Sequence, residues 1–471
     1  MEHYDYGMIG LGTMGSNLVL NMSDKGFTVA GYDKNTAQVE SLNKLADGRK
    51  IKAFDTIEEF VKSLSTPRTI MLLVPAGPIV DAVVFELKPL LGEFDLIIDC
   101  GNSHFSDTQI RTEKLLMEGI HFMGLGISGG ETGARFGASI MPGGDKGAYA
   151  RIAPMLEKIA AQVNGQPCVA YMGSGAAGHY VKMVHNGIEY AIMQLLTETY
   201  HLMKKYAGLS DEDLHKVYTK WNNGKLKSFL VEITAAIFMQ NDEGSGEKLI
   251  NKIADTAHQK GTGAWMSKEA MDIQQTIPSI DAAVSQRAIS SMKLQRLKAE
   301  SLFPLKEISF TGNKADYIDQ MEDALYFAVI IAYTQGLAML QQASVVHKYN
   351  ISIATVASVW RGGCIIRAEI LEEIRAAFEA TPELTNLLLS EAFSERLNKL
   401  KNPLKIIVTS GIQNNIPLPV FSATLSYYDS YHSGWLPANL LQAQRDFFGA
   451  HTYERLDKPG IFHTNWNQTV Q

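Results

Sequence analysis

The segment Lys182-Met-Val-His-Asn-Gly-Ile-Glu-Tyr190 puts Lys182, His185, Asn186 and Glu189 at positions i, i+3, i+4 and i+7. At ~100° per residue, seven helical steps leave Lys182 and Glu189 only ~20° apart around the axis and about 10.5 Å apart along it. The four polar side chains share one helical face, and Met183, Val184, Ile188 and Ala191 cover the others. A lysine whose pKa is lowered by burial can act as a base, and a carboxyl whose pKa is raised can act as an acid. With His185 and Asn186 supplying hydrogen bonds between them, the set suits proton transfer on a small polar substrate. The plain alternative is a solvated polar stripe. His and Asn are unusual on such a stripe, and the segment directly follows the glycine-rich junction Gly173-Ser-Gly-Ala-Ala-Gly178.

Two further stretches expose backbone amides. Gly126-Ile-Ser-Gly-Gly-Glu-Thr-Gly-Ala-Arg-Phe-Gly137, continuing to Met141-Pro-Gly-Gly144, is a polar, glycine-rich segment whose exposed amides suit a carboxylate or a hydroxyl-rich ligand, with an ordinary surface loop as the plain alternative. Gly10-x-Gly12-x-x-Gly15 has dinucleotide-binding spacing. Gly10 permits the tight turn, Gly12 lets the backbone approach a pyrophosphate, and Gly15 lets the helix pack close to the strand. Alone the pattern is weak. Here a strand precedes it, a helix follows it, and Asp33 ends the next strand.

The elements that must position these residues read as alternating strands and helices. Tyr6–Ile9 is predicted as a strand, Asn17–Ser23 as a helix ended by Gly26, and Phe27–Tyr32 as the next strand. Further strands are predicted at Thr69–Val74 and Leu96–Asp99. Repeated strand–helix units predict a doubly wound parallel sheet, an α/β Rossmann-type domain over residues 1–177. From Gly178 the periodicity becomes helical, over Tyr180–Lys205, Ser210–Gln240, Ala282–Lys298, Ala315–Val346 and Ile353–Ala380. The sequence after Trp221 resembles that after Trp360, which predicts a duplicated helical unit inside an all-α domain over 178–433. Residues 434–471 are too short for a domain and too aromatic for a disordered tail, so they are expected to pack against a second subunit.

Composition bounds the function. The chain has 471 residues, 46% hydrophobic and 20% charged, with a net charge of −7, a poor match to a general nucleic-acid binder. Cys100, Cys168 and Cys364 are few and scattered, with no disulfide framework or metal-ligand spacing, as in a reducing cytoplasm. The N-terminal Met1-Glu-His-Tyr-Asp is acidic where a signal peptide is basic. The apolar run Ala324–Leu340 contains Tyr326, Tyr333, Thr334 and Gln335, so a buried core helix is expected rather than a membrane span.

The ordered motifs resemble the 6-phosphogluconate dehydrogenase family, the long decarboxylating branch of the β-hydroxyacid dehydrogenases. The resemblance rests on Gly10–Gly15 with Asn17 and Asn21, Asp99-Cys-Gly-Asn102, Ser128-Gly-Gly130 and Lys182–Tyr190. It continues in Lys260-Gly-Thr-Gly263 with Trp265, in Arg287, and in Gln444-Arg-Asp-Phe-Phe-Gly-Ala-His451. It implies oxidation of 6-phosphogluconate at C3 by hydride transfer to NADP, loss of CO2, and tautomerisation to ribulose 5-phosphate, a step of the pentose phosphate pathway. Lys182 matches the family's general base and acid, and Glu189 the acid that protonates the enediol. His185, Asn186, Ser128, Gly129 and Gly130 match substrate contacts, and Asn102 sits at the nicotinamide–substrate junction. The substrate phosphate falls to Tyr190, Lys260, Thr262 and Arg287, with Arg445 and His451 reaching in from the other subunit of a homodimer. The coenzyme falls to Gly10, Leu11, Gly12, Thr13, Met14 and Gly15, to Asp33, Lys34 and Asn35, and to Val74, Pro75, Ala76 and Asn102. No metal is implied, since a β-keto acid decarboxylates when an acid sits near its carbonyl oxygen.

The chain departs from the family at the adenosine end. Asp33-Lys34-Asn35 stands where the family commonly has Asn-Arg-Thr or Asn-Arg-Ser, and Pro75 stands where Lys is frequent. Lys34 keeps a cation without the planar fork of Arg, and Asp33 is the residue type that binds the free ribose hydroxyls of NAD. The family resemblance points to NADP and these residues to NAD. Two other readings are a non-decarboxylating β-hydroxyacid dehydrogenase and a cofactor-sensing protein without catalysis. Lys260, Arg287 and Arg445 count against the first, and an intact Lys182 and Glu189 against the second.

Overall fold

A computed structural model describes residues 3–259, 261–304 and 310–466. Lys260, expected at the phosphate, lies outside the described residues. The described chain divides into two compact units, Met1–Ala423 and Thr424–Gln471.

The first unit opens with β1 (Tyr6–Ile9), α1 (Thr13–Asp24), β2 (Val29–Tyr32), α2 (Thr36–Leu45), β3 (Ile51–Phe54), α3 (Ile57–Lys62), β4 (Thr69–Leu72) and α4 (Pro78–Leu87). It continues through β5 (Leu96–Asp99), α5 (Phe105–Leu116), β6 (His121–Ser128), α6 (Gly130–Phe136), β7 (Ser139–Gly143) and α7 (Lys146–Ile159). The seven strands form one sheet in the order β3-β2-β1-β4-β5-β6-β7. The first six run parallel, and β7 alone runs antiparallel to its neighbour β6. Strands β4 and β5 are buried throughout, as expected of a sheet covered on both faces. The chain turns from one side of β1 to the other at β4, so a crevice opens at the carboxyl ends of these two strands, where doubly wound sheets bind ligands. β1 and β5 match their predicted limits, β2 begins two residues later at Val29, and β4 ends at Leu72.

The glycine-rich stretch forms the end of β6, the short helix α6 and the strand β7, not the surface loop that was its plain alternative. β6 and β7 pair from Gly124↔Gly143 to Ser128↔Ser139. Their glycines let the next helix lie directly on the sheet. A Cβ at Gly143 would fall 2.1 Å from the amide nitrogen of Gly178. At Gly126 and Gly143 glycine serves close packing against α8.

After a small hairpin, β8 (Gln162–Val163) and β9 (Gln166–Pro167), the chain becomes helical. α8 (Ala177–His201) carries the polar face and is followed by α9 (Asp211–Asn222), α10 (Phe229–Ile237), α11 (Thr262–Asp272), α12 (Pro278–Ser291) and α13 (Lys293–Leu302). Then come α14 (Lys314–Val346), α15 (Ile353–Trp360), α16 (Ile370–Ala380), α17 (Glu391–Gln413) and α18 (Pro419–Tyr431). Two predicted segments are each a pair of helices. Ser210–Gln240 breaks at Asn223-Gly224, and Ile353–Ala380 breaks at Gly362-Gly363. Helix starts follow local capping: Ser210 accepts from Asp213 N ahead of three acidic residues, and Ser228 accepts from Val231 N. α14 is the one described helix long and apolar enough to cross a membrane, and every residue from Ala324 to Leu340 is buried within the protein.

Trp221 lies near the end of α9 and Trp360 ends α15; both are fully buried. The segments that follow them pair with each other. Phe229 N donates to Arg367 O (3.1 Å) and Glu369 N to Lys227 O (3.0 Å). The two similar sequence units thus meet through equivalent linkers, and their long helices α8 and α14 pack together.

The second unit contains α19 (Ala438–Gly449) and a hairpin of β10 (Tyr453–Glu454) and β11 (Ile461–Phe462). Asp446, fully buried, accepts from Thr452 N, Thr464 N, His463 Nδ1 and Trp466 Nε1 at 2.8–3.0 Å. Burial pushes its carboxyl up, but these bonds outweigh burial and hold it below the usual carboxylate range.

Candidate active site

The α8 face is no solvated stripe: Lys182 and His185 are buried and Asn186 and Glu189 half-buried. Lys182 is 8% exposed and His185 fully buried. A Cβ on Gly126 of β6 would lie 2.5 Å from the Cβ of Lys182, so only glycine admits the lysine here. Burial lowers the Lys182 pKa, opposed by the negative potential of Glu189 and of Cys364. Burial raises the Glu189 pKa, opposed by Lys182 and Arg287. The two groups are therefore moved toward each other and toward neutrality, as a base–acid pair requires.

Burial and the nearby Lys182 push His185 well below its ordinary value, so the imidazole is neutral. Its contact with Glu189, 3.8 Å, is accordingly no ion pair. Nδ1 faces Asn186 Oδ1 at 3.1 Å and donates to it, which leaves Nε2 to accept from Ser128 Oγ at 3.3 Å. Ser128 Oγ in turn accepts from Ile365 N at 3.4 Å. This chain of bonds ties β6, α8 and the segment after α15 into one site. Trp360 packs edge-on against the His185 ring, centroids 5.7 Å apart.

Ser128 is buried, and Gly129 has φ +129°, with the Gly363 carbonyl so close that a Cβ would meet it at 2.5 Å. Gly130, at φ +61°, opens α6 with space around its Cα. Segment 360–365 was read from sequence only as part of a repeat. Its Gly362-Gly363 pair beside a buried Trp was the available signal for a close backbone approach.

One helical turn along, Arg287 stacks its guanidinium 3.4 Å from the centroid of the Tyr190 ring. Gly263 abuts the same ring, and Thr262 before it is buried at the first turn of α11. Tyr190, Thr262 and Arg287, distant in sequence, are thereby gathered beside Glu189. Arg445 and His451 belong to the second unit. Both are exposed; Arg445 donates to Gln442 Oε1 (3.1 Å) and His451 rests edge-on against Phe448.

Asn102 is exposed on the loop after β5. Asp99, fully buried, holds that loop by accepting from Gly101 N (3.0 Å) and Ser103 Oγ (2.5 Å). Arg111 approaches the same carboxylate at 3.7 Å and binds Asp81 with two bonds of 2.7 and 3.0 Å. Buried His179, absent from the sequence reading, bonds Thr108 at 2.6 Å and fixes α5 against the start of α8.

The turn after β1 fits a dinucleotide. Gly10 has φ +94°, and a Cβ on Gly15 would fall 1.9 Å from Gly10 O, so α1 starts hard against the strand. A Cβ on Gly12 would meet nothing within 4 Å, leaving the turn open to a ligand, with Thr13 exposed and Met14 half-buried beside it. An open cleft of ≈ 680 Å³ runs from Gly10 and Gly12 past Asp33, Lys34 and Asn35 to Val74 and Pro75, with Ala76 exposed next to it. Asp33 is fixed to the turn, accepting from Leu11 N at 2.7 Å and Asn35 N at 2.9 Å.

Comparison with known proteins agrees with this geometry. Residues 178–466 match the C-terminal domain of 6-phosphogluconate dehydrogenase, and residues 5–173 its NAD-binding domain. The chain is 46% identical to the NADP(+)-dependent, decarboxylating 6-phosphogluconate dehydrogenase of Bacillus subtilis, over 99% of this chain and 100% of that one. It is 45% identical to the decarboxylating enzyme of Escherichia coli over the same shares. The 6-phosphogluconate dehydrogenase of Plasmodium falciparum, solved in apo form and with NADP+ and with 6-phosphogluconate, superposes with a TM-score of 0.96 at 41% identity. That match covers 98% of this chain and 100% of that one. The chain belongs to the 6-phosphogluconate dehydrogenase family.

Proposed function

We propose that this chain oxidises and decarboxylates 6-phosphogluconate to ribulose 5-phosphate and CO2 with NADP+ as coenzyme. The observation that carries the reading is the pair Lys182 and Glu189 on one buried helical face, with pKa values moved in opposite directions. Bound NADP+ supplies a hydride acceptor. Neutral Lys182 takes the proton of the C3 hydroxyl as that carbon is oxidised. The resulting ammonium returns the proton to the carbonyl oxygen as CO2 leaves; the protonated Glu189 then delivers a proton to the enediol carbon while the again neutral Lys182 takes up the enediol hydroxyl proton, leaving the ketone. Ser128, Gly129 and Gly130, with His185 and Asn186, orient the sugar acid, and Asn102 lies where it meets the coenzyme. Tyr190, Thr262 and Arg287 hold the phosphate, joined by Lys260.

In this reading residues 1–177 hold the coenzyme, 178–433 the sugar acid, and 434–471 reach a second copy, whose Arg445 and His451 complete the neighbouring site. The enzyme works in the cytoplasm as a homodimer. Its three cysteines are buried and free, in keeping with a reducing compartment. The test is initial rate with 6-phosphogluconate and either NADP+ or NAD+, with CO2 trapped. One CO2 per coenzyme reduced supports the reading; reduction without CO2, or no reduction, overturns it.

A further inference from the structure

Lys34, after β2, and Glu86, in the last turn of α4, form an ion pair across the coenzyme cleft, Nζ to Oε1 2.7 Å. Both side chains line the cleft, and Lys34 is the one cation among the described residues that do so. The remaining charges on that wall are two carboxylates, Asp33 and Glu86. Asp33 is committed to the backbone of the glycine turn, but Glu86 has no such duty. Its contact raises the Lys34 pKa. The pair is exposed, with side-chain accessibilities of 63% and 37%, and therefore weak. A phosphate dianion can displace it, at the cost of breaking the pair and approaching a carboxylate. A free ribose hydroxyl incurs neither cost.

We propose that Glu86 is a coenzyme-discriminating residue: by holding Lys34 it competes with the 2′-phosphate of a phosphorylated dinucleotide and narrows the preference for that coenzyme over the unphosphorylated one. The proposal rests on the reading of this cleft as a dinucleotide site. Discrimination then depends on α4, beyond the residues that follow β2. Because the pair is weak, Glu86 sets a ratio of affinities rather than an absolute choice.

Calorimetric titration of the full chain with NADP+ and with NAD+, without sugar acid, tests this directly. Glu86→Gln is expected to tighten NADP+ by about three- to tenfold while NAD+ stays within about twofold. Lys34→Ala should weaken NADP+ and spare NAD+, and adding Glu86→Gln to it should recover less than the single variant gains. Equal changes for the two coenzymes, or weaker NADP+ binding in Glu86→Gln, overturn the proposal and leave the functional reading standing. A wild-type chain that binds neither dinucleotide overturns both.

Discussion

Gly126 and Lys182 face each other so closely that a Cβ at position 126 would stand 2.5 Å from that of the lysine. The sheet packs against the base of the lysine side chain at a strand position with no side chain, and burial lowers the Lys182 pKa. Gly126→Ala must displace α8 or the lysine. Overpacking of this kind costs about 1–3 kcal/mol, and a displacement approaching 1 Å costs about 10²-fold in rate. We expect kcat to fall by about that factor with NADP+ affinity unchanged, as read by steady-state kinetics and titration.

Burial of Lys182 also has a sign in stability. Its folded pKa lies below the ordinary 10.5, so between the two values the unfolded chain binds more protons and stability rises with pH. Lys182→Met removes the penalty. Its Tm near neutral pH should exceed the wild type's by roughly 2 °C or more, and the gain should shrink as pH nears 10.5. A destabilised Lys182→Met at neutral pH would show that the lysine is not held against its solvation.

Arg287 and Tyr190 are expected to act chiefly on the phosphate, Arg287 with a lesser effect through Glu189. Arg287→Ala should raise KM for 6-phosphogluconate by about 10- to 100-fold, with a much smaller effect on any turnover of unphosphorylated gluconate. Arg287→Lys should recover only part, because it keeps the charge and loses the planar stack on Tyr190. Equal effects on both substrates would place Arg287 elsewhere in the reaction.

The proposed sharing of sites between two copies predicts complementation. Lys182→Ala and Arg445→Ala subunits, each inactive alone, should regain roughly a quarter of wild-type activity after mixing and subunit exchange, because half the dimers then hold one intact site. No recovery would mean that Arg445 does not serve the partner's site.

What the sequence disclosed follows from the range of the forces involved. Strands β1 and β5 are apolar runs bounded by turn residues, and the Lys182–Glu189 face is a helical period, so both are local and legible. The approach of Ile365 to Ser128 and of Glu86 to Lys34 spans long stretches of chain and is set by packing. The packing role of Gly126 and Gly143 was not legible, because their close contact with α8 exists only in the folded chain. Buried His179 and Asp99 show the same limit. Asp99 was visible within a motif, but its grip on Gly101 and Ser103, which presents Asn102, was not.

The most direct test of the base–acid assignment is turnover of Lys182→Ala and Glu189→Gln on 6-phosphogluconate with NADP+, alongside coenzyme binding. On that assignment both variants bind NADP+ like the wild type and turnover falls by about 10²–10⁴-fold, Glu189→Gln impairing enediol protonation more than hydride transfer. Turnover near the wild-type level in either variant would contradict it.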